Sequence, residues 1–263
     1  MVGQFEPDKQ LEKWVDYIWY VSEGEIPQAR RKDTIMPLGH MNVIFNFLDG
    51  YTMLEKGVQR SLPDVAVVGQ IKTAKTVYYG KSVLQIGIAL KPTAFMLLFR
   101  KNSEDFTECI EEGPEMLMDL HETLKRIETV EQKVERIWKF LKERRAVYYR
   151  DDQLMEQMMT YIESSVDNFN VSVMAEHFYM SVSTLERYFK RTIGLTPKAY
   201  ANIKRFVINQ RSECDKVLYY DQSHLIKASK LYTGKTPKAL TYEQDEITLD
   251  FIFNQKSDKN RSV

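Results

Sequence analysis

The feature that most constrains the fold of this 263-residue chain is an internal repeat in its C-terminal third. Residues 183–200 align without gaps with residues 223–240, and eight of the eighteen aligned positions are identical. Chance would give about one identity, so we interpret the two segments as copies of one structural unit. In each copy a segment with helical periodicity is followed by a glycine and, three residues later, by a proline. This is the pattern of one helix that ends and another that begins.

The first copy, together with the residues before it, predicts two short helices joined by a tight turn. We expect a helix over residues 171–178, a turn at 179–181 and a second helix over 184–193, with Ser183 as its N-cap. Gly194 would end the second helix, and Pro197 would begin a third. The second helix has apolar residues on one side and charged residues on the other. This arrangement is typical of a helix-turn-helix.

The charge of the chain is unevenly distributed, although its formal net charge is zero. Residues 181–240 contain twelve Lys and Arg but four Asp and Glu, which gives this segment a net charge of +8 and the rest −8. A basic domain beside an acidic one favours a polyanionic partner for the basic part. A solvated lysine-rich face would have the same composition, so both interpretations stay open at this point.

The part of the chain before residue 151 predicts a β domain followed by helices. Up to about residue 112, short runs rich in β-branched and aromatic residues alternate with turn signals, which indicates a small barrel or sandwich. Strands are expected near residues 14–21, 41–47, 65–70, 76–79 and 84–90. Apolar residues then recur at helical spacing over 113–150, which predicts a helical connector. We therefore expect an α+β chain with a β domain at 1–112, a connector at 113–150, an all-α module at 151–241 and a tail at 242–263.

Several classes of protein are disfavoured by what the sequence contains. Cys109 and Cys214 match no metal-ligand spacing, and we expect both thiols to be reduced. The four histidines are scattered, and no sequence motif of a hydrolase, a metalloprotease or a phosphate-binding loop occurs. We therefore predict no catalytic residues, no metal and no cofactor. The first residues lack the apolar segment of a signal peptide, and no apolar run approaches the ~20 residues of a membrane span. These observations predict a soluble, cytoplasmic protein without a membrane partner.

The C-terminal residues resemble the DNA-binding module of the AraC/XylS family of transcription regulators. The first unit carries the resemblance in Ala175, Ser181-x-x-x-Leu185-x-Arg187-x-Phe189-Lys190, Gly194, Pro197 and Tyr200. Residues 219–226 and Thr233-Gly234-Lys235-Thr236-Pro237 resemble the second unit of that family. More loosely, the segments at 36–37, 43–47, 68–70 and 86–92 resemble a sensor-like N-terminal domain found before some AraC-type modules.

The resemblance implies which residues would contact DNA. Base-facing candidates in the first unit are Ser183, Glu186 and Arg187, and Arg187 is the strongest because a guanidinium can bind a guanine edge with two hydrogen bonds. Glu186 would accept from a cytosine amine or lie on the surface as a helix charge. Phosphate contacts, which carry no sequence information, are expected from the lysines and arginines nearby. These are Lys190, Arg191, Lys198 and Lys204. The matching positions of the second unit are Gln222, Ser223 and Lys227.

The chain also departs from the family in its second unit. Only residues 207–218 separate Arg205-Phe206 from the second motif, whereas the family has about ten more residues there. Ser229 stands at the position that matches Phe189, so a large apolar contact is missing. We therefore predict a shortened second unit that contributes little to base readout.

Taken together, these features predict a sequence-specific regulator of transcription whose N-terminal domain responds to an unknown signal. Double-stranded DNA is the expected partner, and the resemblance adds three candidate partners: RNA polymerase, a small-molecule effector and a second copy of the chain. An alternative is a degenerate relative that acts through protein contacts without specific DNA binding. A second alternative, a small-molecule-modifying enzyme in the β domain, has no catalytic residues to support it.

Overall fold

In the computed structural model, which describes residues 1–148, 153–211, 219 and 221–242, the N-terminal part is built from β-strands. Ten strands are present among the described residues. They are β1 (Val2–Phe5), β2 (Val15–Glu23), β3 (Lys32–Ile35), β4 (Met41–Asn46), β5 (Thr52–Glu55), β6 (Val58–Ser61), β7 (Val65–Val68), β8 (Lys75–Tyr78), β9 (Val83–Leu90) and β10 (Ile110–Glu112). Two 3-10 helices, Gln28–Arg30 and Ser103–Phe106, and the short helix α1 (Ala94–Phe99) lie among the strands.

The strands form two antiparallel sheets and not a closed barrel. One sheet has the order β1-β2-β9-β4-β7-β10 and the other has the order β3-β8-β5-β6. Residues of both sheets share one hydrophobic cluster, which includes Ile44, Val68, Met53 and Val77. The two sheets are therefore packed face to face, and of the two expected alternatives the structure is a sandwich.

The six-stranded sheet is buried on both faces because its strands alternate between two hydrophobic clusters. In β4, Ile44 faces the smaller sheet, whereas Val43 and Phe45 belong to a second cluster on the opposite face. Successive side chains of a strand point to opposite sides, so a strand that is buried on both faces can be apolar at successive positions. This explains the uninterrupted apolar runs at 43–45 in β4, 65–68 in β7 and 86–90 in β9.

Helices α2 (Glu115–Lys125) and α3 (Val130–Tyr148) cover the outer face of the larger sheet. Both were expected as a connector, and their buried residues Leu120 and Ile137 pack in the same core as Phe45. His121 of α2 also bonds to this sheet, with its Nε2 2.8 Å from the carbonyl oxygen of Asn46. Because a carbonyl oxygen only accepts, Nε2 carries a proton and donates this hydrogen bond.

The C-terminal part is all helical among the described residues, which confirms the α+β class of the chain. It consists of α4 (Gln153–Ser164), α5 (Val171–His177), α6 (Val182–Ile193), α7 (Pro197–Arg211), α8 (Gln222–Thr233) and α9 (Pro237–Tyr242). The expected N-cap of α6 is corrected, because Ser181 and not Ser183 caps this helix. No helix in the described ranges combines the length and the apolar character that a membrane crossing requires.

Candidate nucleic-acid interface

The first helix-turn-helix is formed by α5 and α6, and each helix begins with a side-chain cap. The side chain of Asn170 accepts a hydrogen bond from the Ser172 amide at 2.8 Å, and Ser181 Oγ accepts one from the Thr184 amide at 3.2 Å. Each cap satisfies an amide that has no partner within its helix. The turn between α5 and α6 is closed by the Met180 amide, which donates to the carbonyl oxygen of Ala175 at 2.9 Å. The two helices therefore have fixed ends and a fixed crossing.

A hydrophobic core holds α6 against α5 and α7. Leu185, Phe189 and Ile193 of α6 are buried. They share a cluster with Met174 of α5 and Tyr200 of α7, and the rings of Phe189 and Tyr200 meet edge to face at 5.9 Å. These side chains occupy one side of α6, so the opposite side is left for solvent or for a partner.

The side of α6 away from the core carries most of the predicted contact residues of the first unit. Ser183, Arg187, Lys190 and Arg191 are exposed, and Glu186 is half-buried. Counted from Ser183, the other four residues lie three, four, seven and eight positions farther along the helix. This spacing places all five on one helix face. Among the described residues, no carboxylate lies within salt-bridge distance of Arg187, Lys190 or Arg191. The structure therefore brings these five residues together on one face with a net positive charge, the basic face of α6, and its three cations form no ion pair among the described residues.

Three other basic residues differ in their surroundings: one is exposed, and two interact with other residues of the module. Lys198 is exposed at the start of α7. Lys204 lies farther along α7, where its ammonium group pairs with Glu163 at 2.9 Å. Arg205 donates to the carbonyl oxygen of Val166 at 2.8 Å and thereby ties α7 to the end of the segment after α4. Lys204 is thus placed apart from the basic face of α6.

The second unit repeats the local geometry of the first at the offset of 40. Asp221 caps α8 by accepting a hydrogen bond from the His224 amide at 2.8 Å, as Ser181 does for α6. Gly194 and Gly234 both end their helices in the left-handed conformation, with φ of 87° and 74°. The repeated sequence therefore produces the repeated structure that it predicts.

The interior of the second unit is less apolar than that of the first. Ser229 is buried at the position that matches Phe189, and its hydroxyl donates to the carbonyl oxygen of Lys235 at 2.8 Å. Tyr232 supplies an aromatic contact to Phe206 at 5.1 Å. The predicted base-facing residues Gln222, Ser223 and Lys227 are exposed on α8. The shortened scaffold segment at 212–218 lies outside the described residues.

The β domain contacts the C-terminal ends of α6 and α8, a relationship that the sequence analysis did not predict. Thr107 Oγ1 donates to the carbonyl oxygen of Gly194 at 2.7 Å, directly after α6. On the second unit, the Ala74 amide donates to the carbonyl oxygen of Leu231 in α8 at 3.2 Å. Both contacts lie at the helix ends, so the basic face of α6 is left uncovered.

A cavity of about 70 Å³ lies between the two sheets of the β domain. Its walls are mostly apolar and aromatic. They include Trp19, Tyr51, Val77, His40 and Leu38. This volume is less than half of the roughly 150 Å³ apolar cavity that is known to hold benzene. In this conformation, therefore, the cavity would enclose only a very small molecule completely.

The segment between β3 and β4 connects this cavity with the helical module. Leu38 and His40 line the cavity, while Leu38 also packs against the cluster of the helical module. A Cβ placed on Gly39 would lie 3.2 Å from the ring of Tyr200 and 3.4 Å from Lys204, so the backbone here touches α7 directly. The segment therefore forms part of the cavity wall and also packs against α7.

The described ranges bring no three His, Cys, Asp or Glu side chains together in a geometry suited to a metal ion. Cys109 is a free thiol, and its burial raises its pKa above the ordinary value. Cys214 lies outside the described residues.

Comparisons with known proteins give one family match and several structural matches. The model of a domain of unknown function, DUF6597, matches residues 3–110, which is the β domain. A search of curated proteins finds no match.

Among solved structures, the chain is similar to ToxT from Vibrio cholerae, with a TM-score of 0.49 and 9% identity over 90% of this chain and 98% of ToxT. An unsaturated fatty acid-bound form of ToxT gives a TM-score of 0.45 and 12% identity over 91% of this chain and 93% of that one. The AraC-like transcriptional activator CuxR gives a TM-score of 0.32 and 13% identity, over 95% of this chain and 90% of CuxR.

Proposed function

We propose that the chain is an AraC-type transcription regulator that binds double-stranded DNA in the cytoplasm with α6 in the major groove. The observation that carries this proposal is the basic face of α6, where Arg187, Lys190 and Arg191 are exposed without acidic partners. Unpaired cations on a capped helix at the edge of a helix-turn-helix are what a phosphate-lined groove requires. No interaction within the described part of the chain uses these charges.

The residues of this face would divide into two roles. Arg187, near the middle of α6, would bind a guanine edge, with Ser183 and Glu186 beside it as further base contacts. Lys190, Arg191 and Lys198 would bind phosphates and set the register of the protein on the duplex. Lys204 would have to leave Glu163 before it reached a phosphate.

The N-terminal domain is proposed to sense a small molecule in the cavity between its sheets. Support comes from the segment at 36–40, which lines that cavity and touches α7 at Tyr200. Because the cavity is now about 70 Å³, an effector of ordinary size would have to displace its walls. That displacement would move the segment and change how the domain holds the helical module. RNA polymerase and a second copy of the chain stay predicted partners.

Selection of binding sites from random duplexes with the full-length protein tests the proposal. We expect one preferred sequence, and log K should fall steeply with log salt because phosphate contacts release counterions. A chain that selects no sequence, or whose binding does not depend on salt, would contradict it. Loss of DNA binding together with capture of a protein partner would favour the alternative of a regulator that acts through protein contacts.

A further inference from the structure

The turn of the first helix-turn-helix contains a residue in a conformation that its type disfavours. Tyr179 has a φ of 54°, which is the left-handed region. The turn is held there by two hydrogen bonds, from the Tyr179 amide to the carbonyl oxygen of Glu176 and from the Met180 amide to that of Ala175. Glycine is the residue that suits this position at a helix end. The recognition helices themselves end at glycines, Gly194 and Gly234.

The side chain of Tyr179 contributes neither burial nor a hydrogen bond that would offset the strain of its backbone. It is 98% exposed, the highest exposure among the large hydrophobic residues of the described chain. A ring that is fully in solvent buries no apolar area, and its hydroxyl has no partner among the described residues. A strained, exposed aromatic residue points to a role outside the fold.

The position of Tyr179 indicates what that role is. It comes two residues before Ser181, the N-cap of α6, and so lies at the N-terminal end of the helix that the proposed function places in the major groove. Ser183 and Thr184, the first exposed residues of α6, lie at the same end. With α6 in a groove about 12 Å wide, the phosphate strands that border the groove would pass close to the ends of the helix.

We infer that Tyr179 is a DNA contact, whose hydroxyl donates a hydrogen bond to a phosphate at the edge of the groove that α6 occupies. This inference rests on the proposed function. Tyrosine hydroxyls are ordinary phosphate ligands in protein–DNA complexes. Because the phenol is neutral, its contact releases no counterion and reads no base. Tyr179 therefore adds affinity that depends on neither the sequence nor the salt concentration.

The test compares full-length variants in duplex binding. Tyr179→Phe removes the hydroxyl alone, and it should weaken binding about tenfold, the loss expected for a hydrogen bond to a charged group. The loss should be equal on the preferred and on random duplexes, and the salt slope should not change. Tyr179→Gly should weaken binding at least as much while it raises Tm by about 2 °C, because glycine relieves the strained φ.

Lys56→Gly is the matched control. Lys56 also has a positive φ, of 49°, but it lies in the turn between β5 and β6. The Lys56→Gly variant should raise Tm as Tyr179→Gly does and leave the affinity for DNA unchanged. A loss of DNA binding in Tyr179→Gly without a loss of stability therefore identifies a contact and not a folding defect.

Three results would overturn the inference. If the wild-type chain binds no duplex, the proposed function and the contact fail together. If the wild type binds and both Tyr179 variants bind equally well, the contact alone is wrong. If the variants bind DNA normally but lose control of transcription, the turn meets a protein partner and not a phosphate.

Discussion

The hydroxyl of Thr107 lies 2.7 Å from the carbonyl oxygen of Gly194 and donates a hydrogen bond to it. Gly194 ends α6 with a φ of 87°, and a Cβ at this position would lie 3.0 Å from both Thr107 Oγ1 and the carbonyl oxygen of Ser103. Gly234 ends α8 in the same conformation, but a Cβ there would meet nothing within 4 Å. The β domain therefore approaches the end of α6 so closely that a Cβ at this glycine would be crowded.

This difference makes Gly194→Ala and Gly234→Ala a matched pair. Both variants place alanine in the left-handed region, which costs about 1 kcal/mol of unfolding free energy. Gly194→Ala must also push against Ser103 and Thr107, so we expect it to lose at least about 2 kcal/mol. Denaturant unfolding measures the loss, and hydrogen exchange at Ser103–Phe106 should increase in Gly194→Ala alone. Equal losses would mean that the two domains do not meet at Gly194 in solution.

The roles proposed for the first unit predict different effects for Arg187→Ala and Lys198→Ala. Loss of a guanidinium that binds a guanine edge should cost about 1–3 kcal/mol on the preferred site and relax the preference at one base pair. Loss of the Lys198 ammonium should weaken binding to all sequences about equally and reduce the salt slope by about one. Quantitative binding to a set of single-base variants of the site distinguishes the two. Uniform weakening by Arg187→Ala would mean that α6 is oriented differently in the groove.

Much of the fold was predictable because its central elements carry periodic patterns. The five expected strands correspond to β2, β4, β7, β8 and β9, and β4 and β9 lie at the middle of the larger sheet. Strands β4 and β9 are largely apolar because both of their faces are buried. The strands that were not predicted include β6 and β10, whose residues are mainly exposed and polar and which lie at sheet edges. An edge strand has a neighbour on one side only and needs no distinctive sequence.

The local geometry of the candidate site was predictable to a smaller degree. The repeat predicted two copies of a helix that ends at glycine, and the structure confirms both. The contact of Thr107 with Gly194 joins residues 87 positions apart, and no local pattern indicates such a pair. The sequence pattern favours Ser183 as the cap of α6 and places Ser181 in the turn. The hydrogen bond from the Thr184 amide shows that the helix begins two residues earlier, with Ser181 as its cap.

The protonation of His121 is expected to make the free energy of unfolding depend on pH. Burial lowers the pKa of this histidine below its ordinary value of 6.5, and its neutral ring donates to the carbonyl oxygen of Asn46. The unfolded chain therefore binds a proton more readily than the folded one, so stability is fully present above pH 6.5 and is lost as the pH falls below it. We expect His121→Gln, whose amide can donate in place of Nε2, to flatten the dependence between about pH 7 and 5. Thermal unfolding across this range measures it, and an unchanged slope would contradict the assignment.

The second unit is expected to contribute less to sequence readout than the first, because its recognition helix is less firmly supported. In the first unit Phe189 fills the core beside Tyr200, and loss of such a contact costs about 3 kcal/mol or more. Ser229 at the matching position uses its hydroxyl on the carbonyl oxygen of Lys235 and fills little space. A helix with weaker packing holds its exposed side chains less precisely against base edges.

Alanine at Gln222, Ser223 and Lys227 together tests this expectation. The three side chains are exposed on α8, so their removal should leave the fold intact. We expect the triple variant to change sequence preference far less than Arg187→Ala does, although loss of the Lys227 charge should reduce the salt slope by about one. The preferred site should then span nearer one major groove than two, which footprinting on the selected duplex measures. A loss of preference in the triple variant as large as that of Arg187→Ala, or a footprint over two successive major grooves that the triple variant shortens, would show that α8 reads bases as α6 does.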